Sequence, residues 1–307
     1  MKTEQIKPNK FKIIYPNILR WLFLVCLFIA GTGELSLLRW GIPFKCGQKV
    51  ENMVFFIFLL SIPALVFIKS ARPKRTSLDL PISVFIFFQL LSAVLHPAGL
   101  KFFTKISSWI MVYYIIAGLY KDNIWQKRLI YTFLLSAATT FFSGVFGFFN
   151  GIYLPTAAKR ILTAYRHPDT TAFIANTACM LSLSIFLFVK RKTEQFFHIL
   201  VLSASITCLI LTFSRTGWIA FVVSILFLLV TERKKKLGFF AAAGLIILIT
   251  ASLAVSKNIR QKSSALIHPL NTTNVKNRIV YWESALKMIH LHPICGIGLG
   301  QKQFMKK

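Results

Sequence analysis

Apolar runs separated by short basic segments repeat along this chain from about residue 18 to residue 255. Nine runs stand out, at roughly 18–38, 53–68, 80–97, 102–120, 129–153, 172–189, 197–213, 216–230 and 239–255. Each is about 15–25 residues long, near the ~20 that a helix needs to cross a hydrocarbon core. Backbone in lipid has no water to bond, so each run is predicted to be a helix. The pattern therefore predicts an all-α, polytopic transmembrane helical bundle of about nine spans over residues 1–255. Residues 256–307 break it. They open on a polar stretch (Ser263, Ser264, Asn271, Thr272, Thr273 and Asn274) and then read NRIVYWESALKMIHLHP. In that segment Ile279, Trp282, Ala285, Leu286 and Ile289 recur at helical spacing, which predicts an amphipathic helix over 277–292. Asn277 is a suitable N-cap, and Pro293 and Gly296 end the helix.

Composition removes the soluble alternative. The chain has 307 residues, 55% of them hydrophobic, with 30 phenylalanines, more than a soluble core of this size could bury. The first run is entered through Lys2, Lys7, Lys10, Lys12 and Arg20 and lacks a small-residue cleavage site, so it reads as an uncleaved span. No CxxC or HExxH spacing occurs. Cys26, Cys179 and Cys208 lie within apolar runs and are expected in the core, while Cys46 and Cys295 lie in loops.

Charge then sets orientation. The net charge of +28 comes from 37 basic and 9 acidic residues. The basic residues sit between apolar runs rather than on one stripe, which points to membrane flanks and anionic lipid, not nucleic acid. With the N-terminus inside, the short inner loops collect 19 Lys and Arg against 9 on the outer side. RPKR at 72–75, KRK at 190–192 and RKKK at 233–236 are then cytoplasmic anchors. The 151–171 loop, the turn at Arg215 and the segment 256–307 fall together on the outer, extracytoplasmic side.

Arg215 interrupts a run from Phe197 to Val230 that holds no other formal charge. Nine spans make 197–230 a helical hairpin with its turn at Ser214-Arg215. A snorkelling arginine at a membrane boundary is the ordinary explanation. The sharper one is a permanently charged fork placed to hold a phosphate or diphosphate. The 151–171 loop adds Lys159, Arg160 and Arg166 on the same side, with His167 and Asp169 just before the sixth span. His167 has the chemistry of an acid or base near neutral pH, although a lone loop histidine usually serves as neither. Arg278 and Trp282 stand one turn apart on the predicted amphipathic helix, and Trp282 could anchor at the interface or stack on a sugar. GIGLG at 296–300 does not follow a strand, so it reads as flexible backbone rather than a nucleotide loop. The outer side holds only Glu34, Glu51, Asp169 and Glu283 as carboxylates, with no acidic pair to hold a metal. This composition favours a metal-independent, cofactor-free site for an anionic lipid, with arginines supplying the electrostatics.

Three stretches taken together resemble the O-antigen ligase and O-antigen polymerase superfamily. They are TFSRTGW heading a span; Arg160, Arg166, His167, Pro168 and Ala172 entering a span; and Arg278, Trp282, Ala285, Pro293, Gly296 and Gly298. The resemblance covers about residues 155–307, and the first half of the chain matches only as a hydrophobic pattern. It implies a GT-C-like membrane glycosyltransferase of the bacterial cytoplasmic (inner) membrane. Such a protein passes a glycan from an undecaprenyl-diphosphate carrier to lipid A–core, or to another carrier-linked repeat, on the outer face. By resemblance, Arg215, Arg160 and Arg278 contact the carrier diphosphate, with Arg166 beside them. The family's essential histidine follows the Gly-Ile-Gly stretch. Here the sequence stops at Lys307, and His290 and His292 precede the glycines. The sequence therefore reads as the anion-binding half of the pattern without its catalytic base, from either a truncated gene product or an incomplete chain. A polysaccharide polymerase, a transporter of lipid-linked glycans and a non-catalytic remnant are the other readings.

Overall fold

The computed structural model describes residues 10–39, 47–69, 71–73, 75–96, 99–154, 160–163, 165, 167–231, 273–293, 296 and 298. Nine helices and one short strand pair are formed by these residues. The helices are α1 (Lys10–Arg39), α2 (Gly47–Phe67), α3 (Asp79–Leu95), α4 (Leu100–Leu119), α5 (Asn123–Phe149), α6 (Pro168–Phe186), α7 (Lys192–Leu211), α8 (Arg215–Thr231) and α9 (Thr273–Leu291). The strands are β1 (Tyr153–Leu154) and β2 (Arg160–Ile161), paired antiparallel with Leu154 opposite Arg160. The fold is a helical membrane bundle, as the hydropathy pattern predicts. Eight of the nine predicted runs fall on helices, and the ninth, 239–255, lies outside the described residues, as do Cys46 and Cys295. Among the described residues four stretches are long and apolar enough to cross a membrane: Ile14–Thr32, Phe102–Leu119, Asn123–Phe149 and Lys192–Leu211.

Some boundaries differ from the sequence expectation. α5 stops at Phe149, because Asn150 and Gly151 turn the chain into the strand pair, with Gly151 at φ 82. Two-residue strands leave no alternation to read, so that pair was not predicted. The last helix begins at Thr273 rather than after Asn277. The Asn-Thr-Thr-Asn run at 271–274 offers several residues suited to a helix start.

The residues group into two compact units. The first holds α1 up to Phe23, most of α2, all of α3 and α4, the start of α5, and α9. Arg20 is its cross-brace. Its Nε donates to the Leu119 carbonyl at 2.6 Å, its guanidinium pairs with Asp122 at 3.1 Å, and it lies 5.1 Å from the Trp125 ring centroid. These contacts tie α1 to the end of α4 and the start of α5. A buried guanidinium is tolerated because its donors and its face are engaged. α9 forms over the predicted amphipathic segment, with its apolar residues at helical spacing. Trp282, Leu286 and Ile289 are all exposed.

The second unit holds the rest of α1, most of α5, the strand pair, α6, α7 and α8. Its centre is the α6–α7 pair. α6 buries Thr171, Ala172, Ala175, Ala178, Cys179 and Ser182, a stripe of small side chains at helical spacing. α7 turns Val201, Ala204, Ser205 and Cys208 to the core. Lipid supplies no hydrophobic drive between apolar helices, so small residues that allow close backbone approach decide which pairs associate. Cys26, Cys179 and Cys208 are buried, as expected from their apolar settings.

A leucine on this seam should not fit. Ala175→Leu or Ala178→Leu is expected to cost about 1–3 kcal/mol by overpacking, whereas Phe173→Leu, at a 70% exposed position, should change little. Thermal unfolding in detergent checks this; an Ala175→Leu protein as stable as the parent would refute the close-packed seam.

Candidate functional site

The stretch Thr212–Trp218 closes the α7–α8 hairpin, and its residues divide the work of the turn. α7 ends with carbonyls that no longer have helical partners. The Leu209 carbonyl accepts from the Thr212 hydroxyl at 2.7 Å and from the Trp218 indole N–H at 3.1 Å. Phe213 then adopts φ 52, the left-handed conformation that usually falls to glycine at a helix end. That conformation costs an L-residue roughly 1–2 kcal/mol, and burial of the Phe213 ring in the core offsets it. Ser214 follows as the N-cap of α8, its Oγ accepting the Gly217 N–H at 3.3 Å. Gly217 is required by space: a Cβ there would lie 2.6 Å from the Ala172 Cβ on α6.

The outcome is that Arg215 is the first residue of α8. The turn at Ser214-Arg215 is where the sequence put it. A helix N-terminus favours negative charge, so a cation at this position works against the helix by about 0.3–1 kcal/mol. Helix stability does not explain an arginine here.

The entry to α6 is bound to the same turn. Asp169, in the first turn of α6, accepts the Ser214 hydroxyl at 2.6 Å through Oδ1. His167 stands just before α6 with its Nδ1 4.0 Å from Asp169 Oδ2, and both side chains are solvent-accessible. The strand pair is bound there too. Thr163, just after β2, shares a 2.6 Å hydroxyl–hydroxyl bond with Thr171 of α6. Gly144 lets α5 approach this segment, since a Cβ would meet the Thr163 methyl at 2.9 Å. Tyr165 donates to the Gly31 carbonyl of α1 at 3.0 Å, and burial pushes its phenol well above the ordinary range, so it stays a neutral donor.

Arg160 and the backbone of Arg215 are thus both anchored on the first turn of α6, one through Thr163–Thr171 and one through Ser214–Asp169. Arg160 is half-buried on β2, and its Nε–H is enclosed without a hydrogen-bond partner among the described residues. Buried polar groups are nearly always paired, so an enclosed guanidinium donor left without a described partner is unusual. The side chain of Arg215 and the whole of Arg166 lie outside the described residues. Arg278 is on α9, in the other unit, and Trp282, one turn later, is 67% exposed. Among the described residues no group of three or more His, Cys, Asp or Glu could hold a metal ion.

One polar cluster escaped the sequence reading. His198, fully buried on α7, has both ring nitrogens engaged, Nδ1 with Ser182 at 3.0 Å and Nε2 with Tyr131 at 3.3 Å. The Tyr131 hydroxyl also donates to Glu194 at 3.2 Å. A histidine among apolar neighbours carries no formal charge in a count of Lys, Arg, Asp and Glu, so the run looked uniform.

The helices and this turn together define a polytopic membrane protein with a charged turn between two packed helices. Residues 198–307 match the family model described as O-antigen ligase. The matched region includes Arg215, Arg278 and Trp282 and begins after Arg160 and Arg166. No curated protein and no solved structure matches the chain.

The Ser214–Asp169 bond makes a coupling prediction. Ser214→Ala should cost about 1–3 kcal/mol, from the cap and from a bond to a carboxylate. Combined with Asp169→Ala, the losses should fall short of additivity by about 1–2 kcal/mol in a double-mutant cycle. Strict additivity would mean that the two motifs are not joined.

Proposed function

We propose that the chain is an O-antigen ligase-like glycosyltransferase component of the bacterial cytoplasmic membrane, with its N-terminus inside and its charged turn on the outer face. Its donor is a glycan on an undecaprenyl-diphosphate carrier, and its acceptor is lipid A–core or a similar glycolipid. The observation that carries this reading is the enclosed Nε–H of Arg160, without a partner among the described residues, on a segment held to the same turn of α6 as the Arg215 backbone. The family match over 198–307 supports the class of reaction.

In this mechanism an acceptor hydroxyl oxygen attacks the anomeric carbon of the donor sugar. The bond from that carbon to the carrier diphosphate breaks, and the diphosphate leaves with the electron pair. Arg215 and Arg160 bind the diphosphate, with Arg166 and Arg278 contributing from their own segments. Fixed guanidinium groups stabilise the negative charge that grows on the leaving oxygen, and they stabilise it more in the transition state than in the ground state. Trp282 contacts the sugar or the membrane interface. The proton of the acceptor hydroxyl goes to a base outside this set of residues. Segment 256–307 begins the extracytoplasmic loop in this reading, and 1–255 form the membrane bundle.

Two substitutions test the reading in cells whose glycan transfer depends on this protein. Arg215→Ala should lower transfer about 100-fold or more, the scale of losing a main electrostatic contact. Arg160→Gln should lower it by about tenfold or more while the protein still inserts, and chelation of divalent metals should leave transfer unchanged. Transfer at the parental rate in both variants, at matched protein level, would remove the arginines from the reaction.

A further inference from the structure

The first unit contains a cavity of about 380 Å³ that the proposed reaction does not use. Phe58 of α2, Ile86 of α3, and Phe103, Ser107, Ile110 and Met111 of α4 line it, with Tyr114 at one side. Its size falls within the ~300–1,000 Å³ of small-molecule sites. A cavity with so little polar lining does not hold water, which needs two to four polar partners. The surface around it is equally apolar, since α3 leaves Phe85, Phe87 and Phe88 exposed. In a bilayer, hydrocarbon is the material at hand to fill it.

One end of these helices has a distinct electrostatic character. The end of α2, the start of α3 and the end of α4 meet there. Thr76 bonds the Tyr113 hydroxyl at 2.7 Å, and the Lys121 ammonium donates to the Arg72 carbonyl. Lys69, Arg72 and Arg75 are exposed at this end, with Lys121 beside them. The carboxylates among them are already engaged. Asp79 accepts from the Thr76 backbone N–H at 2.9 Å and from its hydroxyl at 3.1 Å, and Asp122 pairs with Arg20. A net excess of exposed positive charge therefore stands over an apolar cavity.

The two features are connected. Tyr114 lines the cavity and also interacts with the Asp79 carboxylate at the basic end. Tyr114 lies five residues before the end of α4, and Ile86 seven residues into α3. At 1.5 Å per residue these are depths of about 7 and 10 Å. Both lie within the ~15 Å of hydrocarbon that one leaflet supplies.

We infer that this unit binds one anionic phospholipid of the surrounding bilayer, with a hydrocarbon chain in the α2–α3–α4 cavity and its phosphate among Lys69, Arg72, Arg75 and Lys121. The glycan carrier is not the occupant, since none of its proposed contacts, Arg160, Arg166, Arg215, Arg278 and Trp282, lines this cavity or is one of these four basic residues. The site would make the protein depend on the leaflet lipid that it sits in, independently of glycan transfer.

The test is native mass spectrometry of the full chain released from nanodiscs of phosphatidylcholine and phosphatidylglycerol at 7:3, with a trace of polyprenyl phosphate. The parent protein should retain one phosphatidylglycerol in preference to phosphatidylcholine. Lys69→Gln with Arg75→Gln, both exposed, should weaken that preference about tenfold or more, the scale of two charges near a lipid surface. Ser107→Trp should fill the cavity and abolish retention of either phospholipid. Equal retention of the two phospholipids by the parent, unchanged preference in the charge variant, or retention of polyprenyl phosphate in their place would each overturn the inference. If Ser107→Trp loses its thermal transition, the charge variant decides alone, because both of its residues are exposed.

Discussion

The close approach of α6 and α7 is the constraint on which the second unit rests. Two apolar helices in lipid gain nothing from hiding apolar surface, because lipid hides it equally well. What holds the pair is backbone proximity, and the small side chains from Thr171 to Ser182 permit it. Once those helices are fixed, the start of α6 is fixed too. Thr171 then holds β2 through Thr163, and Asp169 holds the start of α8 through Ser214. The arrangement of charged segments at this end follows from a seam that carries no formal charge.

The Thr212–Trp218 turn shows how much of a sequence motif can be structural. Thr212, Ser214, Gly217 and Trp218 each have a structural task, satisfying end carbonyls, capping a helix or allowing contact with Ala172. Phe213 accepts an unfavourable backbone conformation among them. Arg215 is the residue whose placement the helix itself disfavours. This division separates residues that build the turn from one that the turn presents, and a motif match alone does not make that distinction.

Much of the fold was legible because hydropathy responds directly to the membrane. Long apolar runs predicted helices, and buried Cys26, Cys179 and Cys208 followed from their neighbours. The hairpin turn at Ser214-Arg215 was legible because a charge within an apolar run has few places to go. Other features left no such signal. α6 has Thr170, Thr171, Asn176, Thr177 and Ser182 diluting its hydropathy, so its close packing with α7 leaves no signal in apolar content. The strand pair is two residues long on each side. Arg20 read as an ordinary basic flank, but its partners Leu119 and Asp122 lie about a hundred residues away in sequence. The Asp169–Ser214 bond spans 45 residues, and nothing local in either segment announces it.

The contact of Gly217 with Ala172 has a consequence for how this sequence can change over time. A Cβ at 217 would stand 2.6 Å from the Cβ of Ala172, well inside contact distance. Position 217 already holds the smallest residue, so the pair has a single direction of relief. Any side chain gained at 217 must be matched by loss of the methyl at 172, and the order matters, because the enlargement coming first passes through a clashing intermediate. In descendants and relatives that keep this helix crossing, the two positions should therefore drift as a pair, glycine moving from one helix to the other while the joint volume stays nearly constant.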